Sequence, residues 1–222
     1  WKFKNDLAET ETVDKLFCMF DEHLENKGLI SHKGTIVDAT FVDAPRQRNS
    51  RDENKKIKNG VIPEEWEKPE NKSKLAQKDI DADWTKKNGE RHFGYKDHVK
   101  CDADSKLITN YSVTSASVHD SQRCLVFIGQ EDEVLYADSA YSGKPIALAL
   151  PENCKNQICE KGYRNSPLTS EQKMNNRRKS RIRCRIEHIF GFMTGAMHGI
   201  TIRSIGITRA WMNIGITNLV YN

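Results

Sequence analysis

Three acidic residues lie in settings that predict a special chemical role. Asp38 lies in GTIVDATFV, Asp138 in EVLYADSAY and Glu187 in RIRCRIEHIFGFM. The aspartates belong to apolar, β-branched or aromatic runs typical of buried strands, and the glutamate lies on a predicted helix. Mg²⁺ prefers carboxylate oxygens, and two such ions about 4 Å apart can activate a nucleophile and stabilise a leaving oxygen on a phosphodiester. The three residues predict a Mg²⁺ site for phosphoryl transfer, in which Mn²⁺ is expected to substitute.

Salt bridges or helix N-caps are the alternative explanation for either aspartate alone, because an unpaired buried carboxylate is costly. Three carboxylates brought together repel one another, by about 4 kcal/mol per pair at 4 Å and an effective dielectric constant of about 20. A bound cation relieves that repulsion. The combined pattern therefore favours a shared metal site, although the spacings of 100 and 49 residues carry little information by themselves.

A dense basic run directly precedes the glutamate. Seven cations lie within thirteen residues: Lys173, Arg177, Arg178, Lys179, Arg181, Arg183 and Arg185. Cations clustered on one helix favour nucleic-acid binding over a merely solvated face. Arg183 lies one helical turn before Glu187, where it can hold a phosphate or pair with the carboxylate. The predicted DNA contacts are Arg177, Arg178, Arg181, Arg183 and Arg185.

A rival pattern uses the H…HD…D metal ligands of HD-type phosphohydrolases: His98, His119, Asp120 and Asp138. That family is all-helical, whereas His98 and Asp138 lie in strand patterns. The favoured interpretation is that His119 and Asp120 cap the helix that they precede, or that they contact the metal ligands without binding the metal. His188, next to Glu187, is expected to be a further supporting residue.

The hydrophobic pattern predicts an α/β scaffold that positions these side chains. The expected elements are helix 12–27, strand 34–44, a hairpin of strands 91–102 and 106–117, helix 118–130, strand 133–141, helix 143–150, strand 157–163 and a long helix from Ser170 to about Met197. Together they predict a mixed five-stranded sheet flanked by helices. If the first and fourth strands are neighbours, Asp38 and Asp138 converge at one edge of the sheet, within reach of Glu187.

A long polar insertion follows the first strand. From Pro45 to Arg91 the chain is dominated by Lys, Glu, Asp and Asn with little periodicity. Such a composition buries little apolar surface, so residues 46–90 are predicted to be a loop or partly disordered. They are also expected to be the most protease-sensitive segment.

Composition narrows the class of protein further. The 222 residues are 30% charged and 37% hydrophobic with a net charge of +4, which predicts one large, highly charged domain. The sequence contains no run of eighteen apolar residues, so no membrane span is predicted. The six cysteines show no CxxC spacing, which favours reduced cysteines in a cytosolic protein. Because the chain opens on Trp1 rather than Met, residues 1–33 are expected to be the helical end of an upstream region.

Several motifs together resemble the DDE transposases of bacterial insertion sequences, within the large subgroup named after the fifth insertion sequence. They are TIVDAT, HFGYKDHVKCD with VTSASVHDS, YADSAY, RIEHIFG and the tail IGITRAWMNIGITNLVYN. The resemblance covers the chain from about residue 30 to its end. It implies a ribonuclease H-like catalytic domain at 34–222, with Asp38, Asp138 and Glu187 as its metal-binding triad.

The same resemblance implies an activity and its partners. The activity is Mg²⁺-dependent DNA cleavage and strand transfer. The partners are terminal inverted repeats and target DNA, on which the protein is expected to form a homodimer or higher assembly. The expected location is the nucleoid in the bacterial cytoplasm. In the broader pattern Tyr-x2-Arg-x3-Glu-x6-Lys, Arg183 and Glu187 match, whereas Ser180 and Thr194 stand in place of the tyrosine and the lysine. Two alternatives stay open: a ribonuclease H-like DNA nuclease without strand transfer, and a domesticated, non-catalytic DNA-binding protein.

Overall fold

The computed structural model describes residues 2–87 and 89–222. Trp1, in the predicted upstream region, and Asn88, in the predicted insertion, lie outside the described residues. The helices are α1 (Lys2–Glu9), α2 (Thr12–Asn26), α3 (Arg51–Lys58), α4 (Glu64–Glu67), α5 (Lys72–Leu75), α6 (Ser121–Phe127), α7 (Lys144–Ala149), α8 (Ser170–Arg183), α9 (Arg185–Gly195) and α10 (Ile207–Tyr221). The strands are β1 (Thr35–Asp43), β2 (Asp83–Lys87), β3 (Glu90–Asp102), β4 (Ile108–Ser115), β5 (Val134–Tyr136) and β6 (Lys155–Asn156).

One mixed sheet of six strands organises the described part of the chain. Strand β3 pairs antiparallel with β1, and different halves of β3 pair antiparallel with β2 and β4. Strand β1 pairs in parallel with β5, and β5 pairs in parallel with β6. Strand β1 therefore joins the antiparallel half of the sheet to the parallel half.

Helices cover both faces of this sheet. On one face α9 and α10 contribute Ile189 and Ile214, which are fully buried in one cluster with Val99 of β3. On the other face α6 and α7 pack, and Phe127 lies in a second cluster with Leu135 of β5. Fully burying a side chain of this size contributes about 1.5–3 kcal/mol. The two clusters hold the parallel strands β1 and β5 between helical layers.

Most of the predicted elements are confirmed, with shifts at their ends. The 91–102 and 106–117 hairpin is β3 and β4, the first helix is α2, and β1 and β5 are neighbours as expected. The strand predicted at 157–163 is not formed over those residues; the strand at this point of the chain is β6, which ends at Asn156. Its alignment beside β5 continues through backbone hydrogen bonds from Gln157 N to Leu135 O at 2.8 Å and from Cys159 N to Ala137 O at 3.0 Å.

The long final helix is divided in two. Helices α8 and α9 meet at Cys184, so the run predicted to begin at Ser170 is interrupted just before the glutamate. Helix α8 begins at Ser170 as predicted, and Thr169 before it is the N-cap of a capping box in which its hydroxyl accepts from Gln172 N at 3.2 Å. Cys184 itself has right-handed helical dihedral angles, so α9, which carries Glu187, follows α8 after a single residue.

The insertion is folded, which corrects the prediction of a loop or partly disordered segment. It contains α3, α4 and α5, and it adds β2 to the sheet, which therefore has six strands rather than five. Trp66 is fully buried, and its indole N–H donates to Glu53 Oε1 at 2.9 Å. Asp79 is buried and accepts from the Tyr95 hydroxyl at 2.7 Å, which ties the insertion to β3. The insertion is ordered by one buried tryptophan and a few polar side-chain contacts, so its sequence lacks the periodic apolar pattern from which helices and strands are predicted.

Helix α10 has no counterpart in the sequence prediction. It packs on α1, α2 and β4. Trp211 Nε1 donates to Asp14 Oδ1 at 2.9 Å, and Arg209 Nε donates to Asn5 Oδ1 at 2.9 Å. Residues predicted to end an upstream region therefore pack directly on the part predicted to be catalytic. Among the helices of residues 2–87 and 89–222, none is long and apolar enough to cross a membrane.

Candidate active site

The parallel pairing of β1 with β5 aligns the two aspartates. Ile36 lies opposite Tyr136 in the register. Two residues further along each strand, Asp38 and Asp138 lie at the same level at the carboxyl end of β5. The two carboxylates interact electrostatically, since Asp138 acts to raise the pKa of Asp38. Asp38 and Asp138 are 100 residues apart, a spacing that carries little information in the sequence. It equals the offset between paired residues of β1 and β5, such as Ile36 and Tyr136.

Asp138 lies just beyond its strand rather than within it. Strand β5 ends at Tyr136, and a 3₁₀ turn begins at Ser139. Asp138 caps that turn, because its Oδ1 accepts from Ala140 N at 2.6 Å. Its other carboxylate oxygen has no such backbone partner among the described residues, so the cap orients the side chain and leaves one oxygen for a ligand.

Arg183 joins the other two acids. Its Nη1 donates to Asp38 Oδ2 at 2.8 Å, and its Nη2 donates to Glu187 Oε1 at 2.8 Å. The side chains of Asp38 and Arg183 are 14% and 20% exposed, whereas that of Glu187 is 57% exposed. The last turn of α8 and the first turn of α9 thus bring one cation and one acid to Asp38, in the middle of β1. The arginine stands as the counter-charge between the two carboxylates.

Burial sets the electrostatics of Asp38. Desolvation raises its pKa above the ordinary value, even though a hydrogen bond from Ala39 N and the Arg183 guanidinium oppose that shift. Burial also disfavours the charged form of Arg183, but Asp38 and Glu187 outweigh it and raise the pKa of the guanidinium. A negative charge at Asp38 is therefore only partly compensated by the arginine, and further positive charge would stabilise it.

The donor set suits a hard divalent cation, since Asp38, Asp138 and Glu187 offer carboxylate oxygens and one of them is under-compensated. The side chains do not converge fully: within the two described ranges, no group of three or more His, Cys, Asp or Glu residues is close enough to hold a metal ion. Arg183 lies between Asp38 and Glu187 instead. The residue types fit the cation, and shared coordination by all three stays a prediction.

The residues predicted to support the site divide into separate roles. His119 is exposed, and its Nδ1 lies 2.8 Å from the Ser121 hydroxyl at the start of α6, which is a capping role. Asp120 pairs with the buried Lys96 at 2.7 Å. His188 is exposed and has no ion pair or side-chain hydrogen bond to another described residue. None of the three touches the carboxylates.

The HD-type pattern is not assembled. His98 is fully buried, its Nε2 lies 2.8 Å from the Thr114 hydroxyl, and burial lowers its pKa to about 4. His119 and Asp120 are engaged elsewhere, as described. The pattern in the sequence therefore reflects a strand residue and a helix cap, not a ligand set.

The predicted DNA contacts on α8 and α9 differ in their freedom to bind a phosphate. Arg177, Arg178 and Arg181 are exposed and unpaired within the described chain. Arg185 donates to Ala103 O and pairs with Asp104 at 3.2 Å, so it secures α9 to the β3–β4 turn. Arg183 is held by the acids. Three of the five predicted arginines are free to contact DNA.

Two residues near the carboxylates were missed by sequence reasoning. Lys87 of β2 acts to lower the pKa of Asp38, so its ammonium lies within electrostatic reach of that carboxylate. The Tyr141 hydroxyl is buried without a hydrogen-bond partner among the described residues, and burial raises its pKa, with a smaller contribution from Asp38. The YADSAY motif contained Tyr141, but no local signal distinguished Lys87 within the polar insertion.

Residues 30–222 match the family model described as the transposase DDE domain, so the chain belongs to this family, whose members depend on a divalent metal. Among curated proteins, the transposase for insertion sequence element IS1106 of Neisseria meningitidis serogroup B is 30% identical over 199 residues. The alignment covers 86% of this chain and 64% of that protein, so the chain spans less than two thirds of the relative's length. No solved structure matches the chain.

Proposed function

We propose that this chain catalyses metal-dependent DNA cleavage and strand transfer at the ends of an insertion sequence, within the subgroup named after the fifth insertion sequence. The observation that carries the proposal is the alignment of Asp38 with Asp138 on neighbouring parallel strands, with Glu187 linked to Asp38 through Arg183. This arrangement supports a ribonuclease H-like catalytic domain at 34–222. The proposed partners are terminal inverted repeats and target DNA, bound by a homodimer or higher assembly at the nucleoid of the bacterial cytoplasm.

The chemistry divides between the cation and the side chains. Bound Mg²⁺, or Mn²⁺ in its place, supplies a Lewis acid that lowers the pKa of water and stabilises charge on a phosphodiester. Asp38, Asp138 and Glu187 would hold it through their carboxylates. The cap from Ala140 N and the bond from Ala39 N orient the two aspartates before substrate arrives. Such preorganisation lowers the barrier because the groups need not reorient during the reaction.

The exposed arginines of α8 hold the DNA backbone in this proposal. Arg177, Arg178 and Arg181 present guanidinium groups, which bind phosphate oxygens in a bidentate manner. Helix α8 ends at Arg183, so a strand along its surface is led toward the carboxylates. Because these contacts are with phosphate, they position DNA without reading its sequence.

The experiment uses the chain with DNA that carries the terminal repeats flanking its gene, in Mg²⁺ and in Mn²⁺. Nicked and joined products are separated on a gel. Asp38→Asn, Asp138→Asn and Glu187→Gln are each expected to abolish both products and to retain the thermal unfolding transition. Glu22→Gln, an exposed acid on α2, is the matched control and should keep full activity.

The outcome also separates the alternatives. Cleavage without joined products would identify a ribonuclease H-like nuclease without strand transfer. DNA binding by the wild type with no product in either metal would identify a non-catalytic DNA-binding protein. Full activity in any one of the three acid variants would refute the assigned triad.

A further inference from the structure

A basic groove lies on the folded insertion, apart from the arginines of α8. It has a volume of about 650 Å³ and runs between α3 and the hairpin of β2 and β3. Its cations are Arg51, Lys55, Lys58, Lys86 and Arg91. Among the described residues that line it, Asp83 is the only acid, and its Oδ1 already accepts from Trp84 N at 2.7 Å. The groove is therefore strongly positive and polar.

One wall is a regular row of cations on α3. Arg51, Lys55 and Lys58 are separated by four and three residues, so they share one helix face. The row spans about 10 Å at 1.5 Å per residue, and duplex DNA places about three phosphates per strand in that length at 3.4 Å each. All three side chains are exposed, and none forms an ion pair with another described residue.

The opposite wall carries a pair of like charges. Lys86 and Arg91 lie directly opposite each other in the register of β2 and β3, and both are exposed. Like charges placed directly opposite on neighbouring strands destabilise the pair. An anion between the two side chains would remove that cost. The repulsion is an observation independent of the α3 row, and it points to the same kind of ligand.

The groove and Asp38 are on the same face of the sheet, because Trp84 of the groove pairs with Phe93, Asp38 pairs with Val99, and Phe93 and Val99 share one buried cluster. Lys87 follows Lys86, and its ammonium lies 5.5 Å from the centre of the Phe41 ring on β1. Lys87 is also the residue of the hairpin whose charge reaches Asp38. Lys87 does not line the groove and extends from the other face of β2, so the hairpin adds positive charge near Asp38 separately from the groove.

We propose that this groove binds the sugar–phosphate backbone of duplex DNA and leads it to the active site. The inference rests on the proposed function for the identity of the DNA as substrate. Five cations facing one acid complement a duplex better than a peptide of mixed charge. Thr194, which stands where the related pattern has a lysine, donates to Phe190 O at 2.9 Å and supplies no charge. Lys87 and the groove provide positive charge from a different element.

Two variants with equal charge change test the groove. Arg51→Gln, Lys55→Gln and Lys58→Gln are combined in the groove variant; Lys56→Gln, Lys68→Gln and Lys72→Gln are combined in the control, whose sites are exposed in the same insertion but do not line the groove. Affinity for a short duplex of arbitrary sequence is measured by fluorescence anisotropy at several salt concentrations. The slope of log affinity against log salt should fall by about 0.9 per lost contact, or by about 2.7 in the groove variant. Equal slopes for the groove variant and the control would overturn the inference.

Lys86→Gln supplies a readout that a purely structural role would not give. Removing the repulsion with Arg91 should leave the thermal unfolding temperature unchanged or raise it, while the salt slope falls by about 0.9. A fall in the unfolding temperature with an unchanged slope would contradict the proposal.

The two proposals fail in different ways. If the wild type cleaves and joins DNA but the groove variant binds like the control, the groove inference fails and the proposed function stands. If the groove variant loses salt-dependent binding but the wild type gives no product in Mg²⁺, the proposed function fails and the groove stands. Binding of poly-glutamate equal to that of duplex DNA would overturn the choice of DNA as the occupant.

Discussion

At the residue scale, Arg183 supplies the positive charge that faces the acids of the candidate site when no metal is bound. It donates to Asp38 and Glu187 at once, and Asp38 is a largely buried carboxylate. A buried acid needs a counter-charge, because water no longer supplies one. The arginine supplies that counter-charge in the structure.

Arg183→Gln should destabilise the metal-free protein. Removing one partner of a buried ion pair costs about 3–5 kcal/mol, and the partial exposure of this pair reduces the expected loss to about 2 kcal/mol. Urea unfolding in EDTA measures the loss, with Arg178→Gln as the exposed control. Adding Mg²⁺ should stabilise the Arg183 variant more than the wild type, because the ion replaces missing charge. An unfolding free energy equal to that of the wild type in EDTA would show that Arg183 does not compensate Asp38.

Asp97 of β3 and Asn218 of α10 form a second residue-scale feature. Asn218 Nδ2 donates to Asp97 Oδ1 at 3.2 Å, while Asp97 Oδ2 and Asn218 Oδ1 are buried without a partner. A protonated Asp97 would carry one O–H donor, which the Asn218 amide oxygen could accept. Burial raises the pKa of Asp97 to about 7, which agrees with a neutral carboxylic acid.

This pair predicts a pH dependence of stability. The folded state holds the Asp97 proton up to about pH 7, whereas the unfolded chain releases it near its ordinary pKa of 3.8. Stability from this group is therefore complete below about pH 4 and is lost as pH rises through 7, by an amount on the order of a few kcal/mol. Asp97→Asn keeps the shape and both hydrogen bonds, so the difference in unfolding free energy between variant and wild type should grow from pH 5 to pH 8. A constant difference would mean that Asp97 is ionised throughout.

At the element scale, Gly94 allows three strands to meet. It lies opposite Asp43 of β1 and Asp83 of β2, with φ +147°. A Cβ at this position would lie 2.3 Å from Val42 O and 2.7 Å from Ala44 N. Both atoms are backbone and cannot move aside cheaply. Any side chain at Gly94 would push β3 away from β1, the strand that carries Asp38.

Gly94→Ala should therefore lower the unfolding free energy by about 3 kcal/mol or more, through strain and overpacking. Gly191→Ala is the matched control, since its site on α9 is open and alanine favours a helix over glycine by about 1 kcal/mol. Chemical denaturation of both variants measures the contrast. If the two substitutions had the same effect, close backbone packing at Gly94 would not be what limits the sheet.

At the scale of the whole molecule, the insertion behaves as a small subdomain built on one side chain. Trp66 is buried by the insertion's own residues: Glu53 accepts from its indole, and the ammonium groups of Lys74 and Lys78 lie 5.5 and 5.1 Å from its ring. Asp79 with Tyr95 and the pairing of β2 with β3 link the insertion to the sheet. We expect the helical part of the insertion, before β2, to unfold separately from the sheet.

Trp66→Ala should unfold the insertion and leave the sheet intact. Truncating a buried tryptophan to alanine lowers the free energy of unfolding by about 3–5 kcal/mol. We expect this loss to exceed the stability of so small a cluster. Limited proteolysis should then cut within residues 46–82 while the fragments that carry β3 and β4 persist. Trp66→Phe keeps the ring but loses the bond to Glu53, so its cleavage rate should lie between those of the wild type and Trp66→Ala. Simultaneous digestion of the whole variant chain would show that the insertion and the sheet unfold together.

The sequence by itself determined the elements and the chemistry of the acids. Runs such as TIVDAT and VLY are strands because β-branched and aromatic residues suit a pleated, buried surface. The basic run is a helix, and Arg183 lies one turn from Glu187 because that spacing is a local property of any helix. Local periodicity also placed the β3–β4 hairpin. The family resemblance drawn from the same motifs is confirmed at the level of the transposase DDE domain.

Only the tertiary structure decided which distant residues meet. The pairing of β1 with β5 aligned Asp38 with Asp138, and the packing of α8 and α9 placed Arg183 between Asp38 and Glu187. The insertion escaped prediction because its order comes from one buried tryptophan and scattered polar anchors, which leave no periodic signal. Lys87 was missed for the same reason. Its charge lowers the pKa of Asp38 because β2 pairs with β3, and no local sequence pattern predicts that pairing. Periodicity reports the local burial of a segment, whereas the partners of a side chain depend on how the whole chain packs.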